Sequence, residues 1–277
     1  MTDSTAGAKI FEAKISNVNY ASSISIFDSS APIMFTFDNM GSAGPFAQRN
    51  GWGHEFLAKQ RINVVSFMEG RQTRWYRHES FVDIVEKAYR LSNADAFPAR
   101  IAYGGSMGGY AAAAFAPLLN IDRALFISPI SSLSRNIVPW ETRWPMAQKQ
   151  DWESAYNDAA VGASKIKDVS IIVDSIFSLD MRHAMRLVDA NAATRVFRLP
   201  GVGHRLPDHM QALNMLKFAV MGVYSGEGTD PLRFRQLARK RRDYDGYYSW
   251  MLSENSPRRT PLRTQIIEKY AGMHRSR

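Results

Sequence analysis

Short, almost unbroken apolar runs recur along this chain, separated by longer stretches with helical spacing. The runs occupy residues 23–27, 32–37, 63–67, 100–103, 124–128, 169–173 and 195–199. A strand covered on both faces reads as a continuous apolar run, whereas a half-exposed strand alternates. Between the runs, Phe81, Ile84, Val85, Ala88 and Leu91 fall on one helix face. A second helix is expected from Met107 through four alanines to about Pro117. A third is expected from about Asp208 to Val220, with Met210, Leu213, Leu216 and Val220 inward and Gly222 as its stop. Alternation of this kind predicts a mostly parallel α/β sheet with crossover helices.

A chain of 277 residues can bury a full core. It contains no cysteine, which excludes disulfides, cysteine metal ligands and a thiolate nucleophile. The opening MTDSTAGAKIF lacks the basic start and apolar run of a secretory signal. No stretch approaches the roughly 20 apolar residues of a membrane helix, so a cytoplasmic location is expected. The net charge of +9 is unevenly placed: residues 231–277 hold 12 Lys/Arg against 4 Asp/Glu, while residues 1–230 are nearly balanced. Two units are therefore expected. Residues 1–224 form the body, and 225–277 form a basic helical extension after a linker at 225–229. Within the body, about 130–168 is too long for a simple crossover. With Trp140, Trp144 and Trp152 it is expected to cap the sheet edge where ligands bind.

The stretch IAYGGSMGGY, residues 101–110, joins an apolar run to an alanine-rich helix and satisfies G-x-S-x-G. At such a junction the serine makes a sharp turn that stands its hydroxyl above the sheet. The flanking glycines avoid collisions with neighbouring backbone. A nucleophilic serine needs a base, and the base needs an orienting carboxylate. His204, in LPGVGH just past the last run, is the base candidate; the five other histidines precede Ser106, fall in or at helices, or lie in the tail. Asp180 and Asp174 compete for the acid. Asp180 is favoured because a residue several positions beyond its strand can reach sideways, and Asp174 is suited to bracing that loop through backbone N–H groups. For the oxyanion hole, Met107 N–H is one expected donor. Met40 N–H, from the Asp38-Asn39-Met40-Gly41 loop, is the preferred second, with Asn39 the alternative.

Together, GGSMGG, GVGH and their order resemble the α/β-hydrolase superfamily over residues 20–224. The resemblance implies an α/β-hydrolase fold with a mainly parallel eight-stranded sheet flanked by helices, a Ser106–His204–Asp180 triad, and no cofactor or metal. "GGSMGGYAAAAFA" and "TFDNMG" are also similar to a bacterial subgroup associated with surface-polysaccharide or glycoprotein modification. The implied function is a serine esterase acting through an acyl-enzyme on an ester, with an acylated glycan as one substrate class. An acyltransferase using the same residues is the alternative, as is a non-catalytic binding protein. The oxyanion loop departs from the superfamily's common His-Gly pair.

Residues 71–78 follow the run ending at Phe67, which places Trp75 and Tyr76 near the mouth as substrate-binding candidates. In the tail, Arg239-Lys240-Arg241-Arg242 lies close to Tyr244, Tyr247, Tyr248 and Trp250, followed by a helical run from Pro261 to Tyr270. The tail is expected to be a solvated helical appendage whose aromatics pack on the body or on another subunit; contact with an anionic surface is the alternative, and nucleic acid is not the expected partner.

Overall fold

The computed structural model describes residues 9–40, 42, 44–70, 74–253, 256 and 260–275. All seven apolar runs become strands: β2 (Tyr20–Ile26), β3 (Ile33–Phe37), β4 (Asn63–Glu69), β5 (Arg100–Gly105), β6 (Arg123–Ile127), β7 (Asp168–Val173) and β8 (Thr194–Arg198). An eighth, β1 (Phe11–Ser16), was not foreseen. Its alternating burial is that of an edge strand with one face on the core, so its signal was period-two alternation rather than a continuous run. The sheet order is β1-β2-β4-β3-β5-β6-β7-β8. Strand β2 is antiparallel to both neighbours, and every other pair is parallel.

Helices cover both faces, which is why the central strands carry no polar side. One face packs against α2 (Ser80–Leu91), α3 (Met107–Ala114), α4 (Ala159–Ala163) and α5 (Ser178–Ala190). The other packs against α1 (His54–Lys59), α6 (Leu206–Ala212) and α7 (Leu216–Ser225). Phe81, Ile84, Val85 and Ala88 of α2 are buried as their spacing predicts. The single helix expected over 208–220 is two. Asn214 takes a left-handed φ of 55°, and Met215 N–H bonds back to Met210 carbonyl at 2.7 Å. Gly222 does not end α7; a Cβ there would stand 2.3 Å from Gly228 carbonyl oxygen, so the glycine serves close packing.

The segment 129–158 has little regular structure and is fixed by buried polar anchors. Arg77 donates to the carbonyls of Asp151, Ser154 and Ala155, and its guanidinium lies over Trp152. Beyond α7, the expected linker is a tight turn in which Gly228 N–H bonds Gly222 carbonyl and Thr229 is buried. Three helices follow: α8 (Pro231–Arg239), α9 (Asp245–Leu252) and α10 (Pro261–Arg275). Helix α8 starts at Asp230, whose carboxylate accepts the N–H groups of Leu232 and Arg233, and buries Phe234, Leu237 and Ala238 in the body's core.

The strand order reverses at β3: its successor β4 lies on one side and β5 on the other. A crevice opens at the carboxyl ends of strands that diverge in this way. Ser106 leaves β5 there, and residues 38–40 leave β3.

Candidate active site

Ser106 has φ 52° and ψ −119°, a strained combination for a residue with a side chain. Backbone bonds hold it there: Ser106 N–H donates to Ile127 carbonyl at 3.0 Å, and Tyr110 N–H donates to Ser106 carbonyl at 3.0 Å. The glycines have unequal roles. A Cβ on Gly104 would lie 2.3 Å from Gly108 carbonyl oxygen, and one on Gly108 would lie 2.5 Å from Phe37 carbonyl oxygen. At Gly105 the nearest atoms would be 3.5 Å away, an ordinary contact. Helix α3 begins at Met107, so its positive end lies directly beneath the hydroxyl.

The serine hydroxyl lies 2.7 Å from His204 Nε2, and His204 Nδ1 lies 2.7 Å from Asp180 Oδ2. Asp180 lies in the first turn of α5, seven residues past the end of β7. Burial disfavours its charge, but His204 and Arg143 donate to the carboxylate and hold its pKa below the ordinary value. Asp174 is occupied elsewhere. It accepts N–H groups from Gly201, Val202 and Gly203 at 2.7–2.9 Å, and one from Ile176 at 2.8 Å. Gly201 and Gly203 have φ of 83° and 72°, and Asp174 fixes this turn so that His204 faces Ser106.

No described acceptor takes the N–H of Met107 or Met40. Gly108 abuts the Phe37 and Asp38 backbone, which brings the 38–40 loop against the elbow. Asp38 itself is buried in bonds to Arg49 and to the N–H groups of Trp52 and Glu69. Gly41 and Arg71–Thr73 lie outside the described residues.

Trp75 and Tyr76 require correction as substrate-binding candidates, because both are core residues. Trp75 is 0% exposed, its ring among those of Tyr110, Trp144 and Trp152. Tyr76 is 1% exposed and donates its hydroxyl to Asp38 carbonyl, bracing the loop after β3. Left-handed φ values of 54° and 55° turn both inward.

Two residues near the site, Arg143 and Glu141, escaped the sequence reading, and Trp144 of the expected cap stands beside them. Arg143 donates to Asp180 Oδ1 at 2.7 Å and to both oxygens of Glu141, and its guanidinium lies over the Trp144 ring. Glu141 also contacts His183 Nε2 at 2.9 Å. Burial disfavours the charged form of Glu141, yet the bonds from His183 and Arg143 lower its pKa to about 2. Trp144 lies 5.5 Å from the His204 ring, centroid to centroid. Nothing in the spacing of Glu141 or Arg143 marks them in the sequence.

A groove of about 1050 Å³ opens on the face covered by α1, α6 and α7, lined by Trp52, Phe56, Tyr103 and Phe218 among others, but not by Ser106 or His204. No group of three or more His, Asp or Glu side chains among the described residues is arranged to hold a metal ion. Among those residues, no helix is long and apolar enough to cross a membrane.

No family model matches the chain, and no curated protein matches it in sequence. Solved structures do match in shape. A capsule O-acetyltransferase of Neisseria meningitidis serogroup A aligns at 11% identity and TM-score 0.50, over 76% of this chain and 96% of that one. The glycosylation-associated Gap123 complex from Streptococcus agalactiae aligns at 13% identity and TM-score 0.52, over 73% of this chain and 44% of that chain. With the sheet order and the serine turn between β5 and α3, these likenesses establish the fold expected from the sequence, that of the α/β-hydrolases.

Proposed function

We propose that this chain, an α/β-hydrolase by fold, is a serine esterase in which Ser106 is the nucleophile, His204 the base and Asp180 the orienting acid. The observation that carries the reading is the pair of 2.7 Å contacts linking these three side chains at a strained elbow. Ser106 Oγ attacks the ester carbonyl carbon while its proton passes to His204 Nε2. Asp180 holds the ring so that Nε2 is the acceptor and stabilises the imidazolium. In this reading the N–H groups of Met107 and Met40 receive the developing oxyanion, and such donors lower the barrier by a few kcal/mol each. As the tetrahedral adduct collapses, the C–O bond to the alcohol breaks and His204 returns the proton to it. Water repeats the sequence on the acyl-enzyme, releasing the acid.

Acyl transfer is the second reading. A sugar hydroxyl replacing water in the last step would give an O-acyltransferase, the activity for which one fold neighbour is named. Placement of Trp144 beside His204 supports it, since the segment that bears this ring can limit water at the acyl-enzyme. An acylated glycan fits both readings.

A fluorophosphonate probe is expected to label wild-type protein at Ser106, located by peptide mass spectrometry, and to leave Ser106→Ala unlabelled. Ser106→Ala should also lose at least about 10³-fold in ester hydrolysis. Absence of label on folded wild-type protein would reject the esterase reading and favour a non-catalytic binding role. Product analysis with a glycan acceptor then separates hydrolysis from transfer.

A further inference from the structure

The triad acid does not end its chain of contacts at His204. Asp180 Oδ1 takes Arg143 Nη1–H; Arg143 grips Glu141; Glu141 meets His183; and His183 Nδ1 accepts Ser131 N–H at 3.0 Å. A backbone donor on Nδ1 leaves that nitrogen no room for a proton, so the His183 proton sits on Nε2 and points at Glu141. His183 is therefore a neutral member. Beyond Ser131, Arg186 and Asp158 form a pair of their own.

Charge can now be counted over a cluster whose Asp180, Glu141 and His183 side chains are all 0% exposed. With both histidines neutral, Asp180 and Glu141 supply two negative charges and Arg143 one positive, leaving one negative charge. Moving the Ser106 proton onto His204 brings the cluster to neutrality. In a low-dielectric site an uncompensated charge is costly, so the state created by proton transfer is the balanced one.

We propose that Arg143 and Glu141, carried by the segment after β6, are positioning residues that fix the charge opposite His204 and so set its readiness to take the serine proton. The proposal rests on the esterase reading for its role in catalysis, but the charge assignment stands on the geometry alone. Other charged groups around the loop are Asp174, held by backbone N–H groups, the exposed Arg205–Asp208 pair, and His209 on α6. These remain in every variant below.

The test is a histidine NMR titration of His204, identified by the signal missing in His204→Gln, in folded wild type and three variants. Glu141→Gln neutralises the resting cluster and should lower the His204 midpoint by about one pH unit. Arg143→Met leaves a second negative charge and should raise it by a similar amount. The Glu141→Gln/Arg143→Met double variant restores one net negative charge and should titrate close to wild type. The acid limb of the fluorophosphonate labelling rate at Ser106 should follow the same three shifts. A merely structural role predicts otherwise: each loss would disturb the site, and the double variant would be the most disturbed. Single variants that titrate like wild type, or a double variant whose midpoint fails to return, would overturn the proposal. If Arg143→Met does not fold, Arg143→Lys must hold the wild-type midpoint while Glu141→Gln shifts it. Shifts as stated in a protein that no probe labels would reject the esterase reading and leave the charge assignment intact.

Discussion

Two buried aspartates just beyond β7 show how a residue's role follows from its partners. Asp174 spends its carboxylate on four backbone N–H groups and shapes the turn, while Asp180 keeps one oxygen for His204 and gives the other to Arg143. Asp174→Ala should therefore act through geometry: the 201–203 turn loses its acceptor, and activity should fall roughly tenfold or more with a stability loss of about 2–3 kcal/mol. Asp180→Asn should abolish most activity while leaving the melting temperature closer to wild type. Thermal melts beside ester hydrolysis separate the two. Glu69 makes a third case. Burial is the main reason its pKa rises to about 8, with neighbouring Asp38 adding to it. An acid whose folded pKa lies above its unfolded one must bind a proton to fold. No penalty exists below the unfolded value of 4.5, and it grows by about 1 kcal/mol per pH unit until about pH 8. Glu69→Gln is thus expected to leave stability unchanged near pH 4 and raise it progressively toward pH 8, as read by denaturant midpoints at each pH.

At the scale of elements, the histidine loop is held between Asp174 and α9. A Cβ on Gly203 would stand 2.5 Å from the Trp250 ring, and one on Gly201 2.7 Å from Met251 sulfur. Gly203→Ala should then lower stability by about 1–3 kcal/mol and displace His204, cutting labelling at Ser106 by an order of magnitude or more. In a Trp250→Ala background the same change should cost less, because the collision is gone and only the φ of 72° remains unfavourable. Equal losses in both backgrounds would mean that backbone strain alone decides. The elbow depended on periodicity and glycine spacing, which the sequence displays openly. The α9 contact did not, because a hydrophobic ring shows no preference for one glycine over another until the chain brings them together. For the same reason Trp75 read as a ring at the mouth and proved to be core.

The whole molecule treats the basic tail as part of its packing. Phe234 meets Phe197 with ring centroids 5.2 Å apart, and Tyr248, Met251, Ile267 and Ala271 form a small core of their own, while most of the described basic side chains of α8 and the turn after it point to solvent. Deleting residues 231–277 should expose the Phe234 and Leu237 site, losing several kcal/mol of apolar burial and lowering the melting temperature by about 10 °C or more. An unchanged melt would mean that the tail is a separable appendage. What the amino-acid order determined by itself is local: seven apolar runs, the helical spacing of α2, the glycine-framed serine, and a histidine after glycines past the last long strand. These are properties of neighbours in the chain, and short-range sterics and burial periodicity write them directly. Position beyond the strand already favoured Asp180 over Asp174, but only the tertiary structure decided that Arg143 and Glu141 stand behind Asp180 and that α9 lies on the histidine loop. Each of those contacts joins residues far apart in the chain, and contacts of that kind are made by the packing of the whole core.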